Sequence, residues 1–172
     1  MKRTGKVIGS LVAAGAAFSC GYLMKAVKRE NKEEVSSTAE LSRLNVYYDM
    51  LTKWMSNDKE GLLIGDYLKK QEIHTVGIYG HGKVGILLYQ TLKEQGISVK
   101  YFSDIMTTRK GKGVDGVDQI PIVDMKDIPV DAIIITPCWD TEDIVSSVQN
   151  LLKKSSFHVK GILPLNELLY DM

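Results

Sequence analysis

The chain has 172 residues, 44% hydrophobic and 25% charged, a balance that excludes wholesale disorder, collagen-like repeats and disulfide scaffolds. Its formal net charge of +1 hides an asymmetry: residues 1–29 hold six basic residues and no acid, and the remainder holds 16 basic against 21 acidic residues. An acidic body is expected to bind no nucleic acid, because affinity there comes mostly from neutralising phosphates, and two distant cysteines with three scattered histidines offer no metal-ligand spacing.

Residues 7–24 run without a charge. As a helix they reach about 27 Å at ~1.5 Å per residue. That is close to the roughly 30 Å of a bilayer's hydrocarbon, with Lys6 and Lys25 placed to snorkel at either end. Residues 1–29 are therefore expected to be a single-pass membrane anchor with its flanks. A signal peptide cleaved after Ser19 and a lipoprotein box at Cys20 are the alternatives; the apolar run continuing through Tyr22, Leu23 and Met24 favours an uncut helix. Gly9, Ala13, Ala17 and Gly21 recur at spacing four, the kind of ridge through which membrane helices pair, and a homodimer through it is one expected partnership. The basic flanks balance, so charge does not orient the anchor. The expected setting is the bacterial inner membrane with a cytoplasmic body, where nucleotides and reduced thiols are found.

Residues 30–37 are polar and read as a linker. Residues 38–70 read as a helical neck, capped by Ser37 or Thr38. Leu41, Leu44, Tyr48, Leu51 and Met55 alternate at steps of three and four, one apolar stripe that Val46, Tyr47 and Trp54 widen. The stripe either packs on the body's own sheet or forms a parallel dimer helix. Ser56, Asn57 and Asp58 are expected to break this helix, and a second short one follows over residues 61–70.

Residues 71–172 form the body. Val76, Gly77, Ile78 and Tyr79 make a short apolar strand, followed by Gly80-His81-Gly82-Lys83-Val84-Gly85, a G-x-G-x-x-G turn. Leu87, Leu88 and Leu92 give helical spacing up to a stop at Gly96. A second strand, Val99 to Phe102, ends at Asp104, 19 residues beyond Gly85 and near the offset of an acid that holds a ribose. Gly80 serves the tight turn, Gly82 the approach of a pyrophosphate, and Gly85 the packing of helix on sheet. Further strands are expected at Ile120 to Val123, at Asp131 to Thr136 and at Val159 to Ile162. A helix capped by Asp140 or Thr141 runs to about Lys154, and Asn166 to Tyr170 form a terminal turn. The basic stretch Arg109, Lys110 and Lys112, interleaved with Gly111 and Gly113, reads as a solvated mobile loop or as a phosphate neutraliser. The fold class is α/β: a small Rossmann-like, mostly parallel sheet with helices on both faces.

The strand and turn Ile78 to Gly85, the strand end Tyr101-Phe102-Ser103-Asp104, Gly113 through Pro121, and the strand end Ile135-Thr136-Pro137 resemble the small Rossmann-type module of bacterial polysaccharide-biosynthesis proteins. The likeness is to the N-terminal domain of sugar-nucleotide acyltransferases and to the first Rossmann domain of membrane-bound dehydratases. It implies binding more than reaction, because the acyltransferase's catalytic domain and the dehydratase's second domain are absent.

The expected ligand-binding residues are Gly80, His81, Gly82, Lys83, Val84, Gly85, Asp104, Thr136 and Trp139, with Lys83 as a point charge for phosphate and Trp139 as a stacking ring. The expected ligand is NAD or a nucleotide-sugar. The leading function is non-catalytic binding of a nucleotide, nucleotide-sugar or dinucleotide, set by the resemblance in cell-envelope polysaccharide synthesis. Two alternatives remain: a small NAD-linked oxidoreductase or sugar-nucleotide-modifying enzyme, and a membrane scaffold with a vestigial glycine loop. A single nucleotide half leaves no substrate domain, which weighs against the enzyme.

Overall fold

The computed structural model describes residues 38–172. The expected anchor, linker and small-residue ridge lie outside the described residues. Among the described residues no helix is long and apolar enough to cross a membrane. The chain divides into two units between Asn45 and Val46; of the first, residues 38–45 are described and are helical, and the packing that follows is that of the second.

Helix α1 spans residues 38–59 and is followed by α2 (Ile64–Lys70), β1 (Thr75–Tyr79), α3 (Lys83–Glu94) and β2 (Ser98–Ser103). Next come β3 (Gly111–Lys112), β4 (Asp118–Ile120), a 3-10 turn (Ile122–Asp127), β5 (Ala132–Ile135), α4 (Thr141–Leu152), β6 (Gly161–Pro164) and α5 (Leu165–Asp171). The sheet order is β3-β4-β2-β1-β5-β6. Every pairing is parallel except β3 with β4. Without its short edge strand this is the doubly wound order, with the reversal between β1 and β5 that defines the ligand crevice of such sheets.

Each central strand is apolar because both its faces are covered. Val76, Ile78, Phe102, Ala132 and Ile134 join a core with residues of α1, α2, α3 and α5. Their neighbours Tyr79, Tyr101, Ile133 and Ile135 turn to the opposite core, closed by the 3-10 turn and α4. This period-two alternation is what makes a run such as Ile133-Ile134-Ile135 a strand between two helical layers.

Several expectations about elements are corrected. First, α1 does not break at Ser56, Asn57 and Asp58. It ends where Gly61, at φ +76, lets Gly61 N–H reach the Asp58 carbonyl and Leu62 N–H reach the Asn57 carbonyl at 2.9 Å. Asn57 is buried, and its Nδ2 donates to the Leu169 carbonyl at 2.7 Å. Second, the buried residues of α1 are Met50, Trp54 and Asn57, with Tyr47 and Leu51 partly buried against the core, while Tyr48 and Met55 of the expected stripe are exposed. The polar Asn57 had hidden the true periodicity. Third, Lys112, expected in a mobile loop, lies with Gly111 in the first strand of an antiparallel hairpin with β4, turned by Asp115 and Gly116, both at positive φ. Ile122 and Val123, expected in a strand, lie in the 3-10 turn after Pro121. Fourth, residues 165–171 form a helix rather than a turn. Asp140 does sit at the N-cap of α4 as expected, in a left-handed conformation and without a side-chain cap bond.

Candidate functional site

The glycine turn joins β1 to α3. Gly80 lies at φ +108, and a Cβ there would run into Thr136 Oγ1. A Cβ at Gly85 would run into the Gly80 carbonyl oxygen. Gly82 is different. Its φ of −87° and ψ of −172° suit any residue. A Cβ there would meet nothing within 4 Å. The fold requires the first and third glycines and does not require the second.

Asp104 follows β2 and ties the turn in place. Its Oδ2 accepts the His81 N–H at 3.2 Å and its Oδ1 accepts the Met106 N–H at 3.0 Å. One residue earlier, the Ser103 carbonyl accepts the Gly80 N–H at 2.7 Å. Beyond Asp104 the chain turns back, with Thr107 N–H on the Asp104 carbonyl at 3.0 Å. Gln119 of β4 holds this turn by donating Nε2 to Thr107 Oγ1 at 2.6 Å.

Between these segments opens a cleft of about 480 Å³. The glycine turn lines it with His81 and Gly82, the segment after β2 with Asp104, Met106, Thr107, Thr108 and Arg109, and β4 with Gln119. It sits at the carboxyl ends of β1 and β2, where ligands bind in open α/β sheets. A second cleft of about 470 Å³ lies around α2, lined by Leu62, Leu63, Tyr67 and Met172 among others, and holds no residue of the glycine turn.

The start of α3 beside the first cleft suits an anion, while Asp104 puts a carboxylate on the same lining. The N-cap Gly82 makes no side-chain cap bond, and the first turn of α3 contains no acid. The leading amides of a helix have no intrahelical acceptor and carry the positive end of its dipole. Lys83 in that turn is exposed. The side chain of Val84 is partly buried and packs against the core. The His81 ring lies 4.8 Å from the Phe102 ring, and its Nε2 is buried without a hydrogen-bond partner. Burial, and secondly the Asp104 carboxylate, hold the Tyr79 phenol above its ordinary pKa.

Of the nine residues expected at the site, His81, Gly82 and Asp104 line one cleft, and Lys83 stands in the first turn of the helix that begins beside it. Gly80 and Gly85 shape the turn. Thr136 and Trp139 do not line the cleft. Thr136 is buried, with its hydroxyl donating to the carbonyls of Tyr79 and Gly80 at 3.2 and 3.3 Å, so it supports the turn from behind. The Trp139 ring meets Tyr47 of α1 edge-on, centroids 5.2 Å apart. Cys138, which follows the end of β5, has Sγ 3.2 Å from Met50 Sδ, and burial pushes its thiol up to about 11. A thiol held protonated in this way is not an activated nucleophile. Sequence reasoning missed Thr107 and Gln119. Their one signal is their placement beside strand ends that converge on the crevice.

No family of known proteins matches the chain. No curated protein matches it either. Two solved structures share part of the fold. A crystal structure of RSP, a Rex-family repressor, is 16% identical at a TM-score of 0.40, over 58% of this chain and 56% of that one. A structure of RSP in complex with β-NAD+ and operator DNA is 18% identical at the same TM-score, over 58% of this chain and 54% of that one. The chain thus spans about half the length of the solved chains it matches. Topology and glycine turn together define a Rossmann-like α/β module. The expectation that nucleic acid is excluded as a partner is withdrawn: one of these two solved chains is in complex with operator DNA, a property of that protein. Physically, a negative net charge is an average: it leaves room for local runs of cations such as Arg109, Lys110 and Lys112, all exposed here.

Proposed function

We propose that the body is a binding module for a nucleotide-type ligand, NAD or a nucleotide-sugar, whose diphosphate rests on the turn from Gly80 to Gly85. The observation that carries this reading is Gly82. It is a glycine that neither backbone conformation nor packing demands, at the uncapped start of α3 and on the wall of a cleft. A missing side chain there lets a phosphate approach the amides of the first turn. Lys83 adds charge, and Asp104 retains lone pairs that can accept ribose hydroxyls. The uncharged run of residues 7–24 and the quoted resemblance support a setting at the cytoplasmic face of a bacterial inner membrane, in envelope polysaccharide synthesis. Carbonate extraction of membranes tests the first part of that setting.

The test of binding is calorimetry of the full chain with NAD, ADP, UDP and a UDP-sugar. Saturable binding of at least one, abolished by Gly82→Trp in a chain that still unfolds cooperatively, supports the proposal. Absence of binding to all of them at millimolar concentration overturns it.

A further inference from the structure

In a doubly wound sheet a dinucleotide lies across the switch point, one half on each side of the first strand. Here the two sides are not equivalent. On the β2 side the cleft of about 480 Å³ reaches from His81 and Gly82 to Gln119 of β4. On the β5 side the carboxyl end is covered by the chain itself. Thr136 is only 3% exposed, and its hydroxyl is already bonded to the turn. The next residues, Cys138 and Trp139, meet Met50 and Tyr47 of α1. Met50 is itself buried in the core, so this cover is part of the folded body and not a loose strap.

We infer that the recognised unit is a single nucleoside diphosphate, and that whatever is joined beyond its second phosphate is not seated by this body. The inference rests on the nucleotide reading above. It narrows it from a whole dinucleotide or nucleotide-sugar to the half those molecules have in common. The far moiety, a nicotinamide riboside or a sugar, points away from the sheet and towards solvent or a partner. The geometry excludes the usual second half-site, because filling it requires the Tyr47–Trp139 and Met50–Cys138 contacts to part.

The test compares each whole ligand with its diphosphate half on the full chain: NAD against ADP, and UDP-glucose against UDP, by calorimetry. The expected result is that, in the pair that binds, the whole ligand and its half agree within about threefold. Binding of the whole ligand about tenfold or more tighter than its half shows a second seated moiety and overturns the inference while leaving the nucleotide reading intact. Failure of all four to bind removes both. A second measurement separates cover from mere disuse. Tyr47→Ala with Trp139→Ala opens the β5 side, and the whole ligand is then expected to gain on its half in a chain whose affinity for the half is unchanged. No gain in a chain that stays folded contradicts the role given to the cover.

Discussion

Gly82→Ser separates what the fold needs from what the site needs. The backbone at this position, φ −87° and ψ −172°, is the extended conformation of a helix N-cap, and no side chain caps α3. Serine fits: its Cβ enters open space. Its hydroxyl can accept an amide of the first turn, a better cap than glycine by a few tenths of a kcal/mol. Replacing glycine also narrows the unfolded ensemble, which stabilises by about 0.4–1 kcal/mol where the native conformation is compatible. The sum is about 1 kcal/mol, or roughly 2–4 °C in Tm for a chain of this size. Binding goes the other way, because the hydroxyl takes the amide that a phosphate would use and the Cβ stands in its path. A loss of about tenfold or more in affinity is expected, equivalent to about 1.4 kcal/mol. Differential scanning calorimetry and titration calorimetry on the same protein read the two effects. A fall of several degrees in Tm would show that the glycine is structural; unchanged affinity would show that no anion approaches it. Either result refutes the reasoning.

Gly85→Ala drives a methyl into the Gly80 carbonyl and is expected to destabilise by about 1–3 kcal/mol, read as a lower urea midpoint. Asp104→Ala frees the amides of His81 and Met106, and faster hydrogen exchange at both is expected with about 1 kcal/mol lost in denaturant titration. At Asp131 burial raises the carboxyl pKa, but bonds from the His74 and Thr75 amides and the Thr75 hydroxyl, with Lys160 nearby, outweigh it and hold it below its ordinary value. Its stabilisation is therefore complete above the unfolded carboxylate pKa and lost as pH falls through the folded one. Asp131→Asn is expected to flatten the acid limb of the stability profile and to cost about 1–2 kcal/mol at neutral pH, its partial exposure discounted. With its thiol pushed from 9.0 up to about 11, Cys138 is expected to react with iodoacetamide about 100-fold more slowly than in the urea-unfolded chain at pH 8, and equal rates contradict the burial described.

The parts of this fold legible in the sequence are those where one physical demand dominates. The runs at residues 76–79 and 132–135 are apolar because both sheet faces are covered, and Gly96 ends α3 at φ +75 because the next turn requires it. The parts that misled combine two demands in one residue. Asn57 is polar yet buried, because the Leu169 carbonyl pairs with it, so its place on the packed face of α1 could not be read from hydropathy. The stretch around Arg109 to Lys112 looked like solvated loop by charge, whereas the Asp115-Gly116 pair two residues past Gly113 was the available hairpin signal. At the site, the glycine spacing marked the turn. It could not show that Thr136 faces backward into that turn, which depends on the pairing of β5 with β1, nor that Trp139 pairs with Tyr47, which depends on where α1 packs.

The central claim is that an anionic ligand meets the main chain at the start of α3. Amide chemical-shift titration of the full chain with the nucleoside diphosphate that calorimetry selects tests it most directly. The account predicts that the amides of Gly82, Lys83 and Val84 shift most and saturate together, with smaller shifts at Met106 and Thr107. Saturable shifts confined to residues around α2, or none in the turn at millimolar ligand, would contradict it.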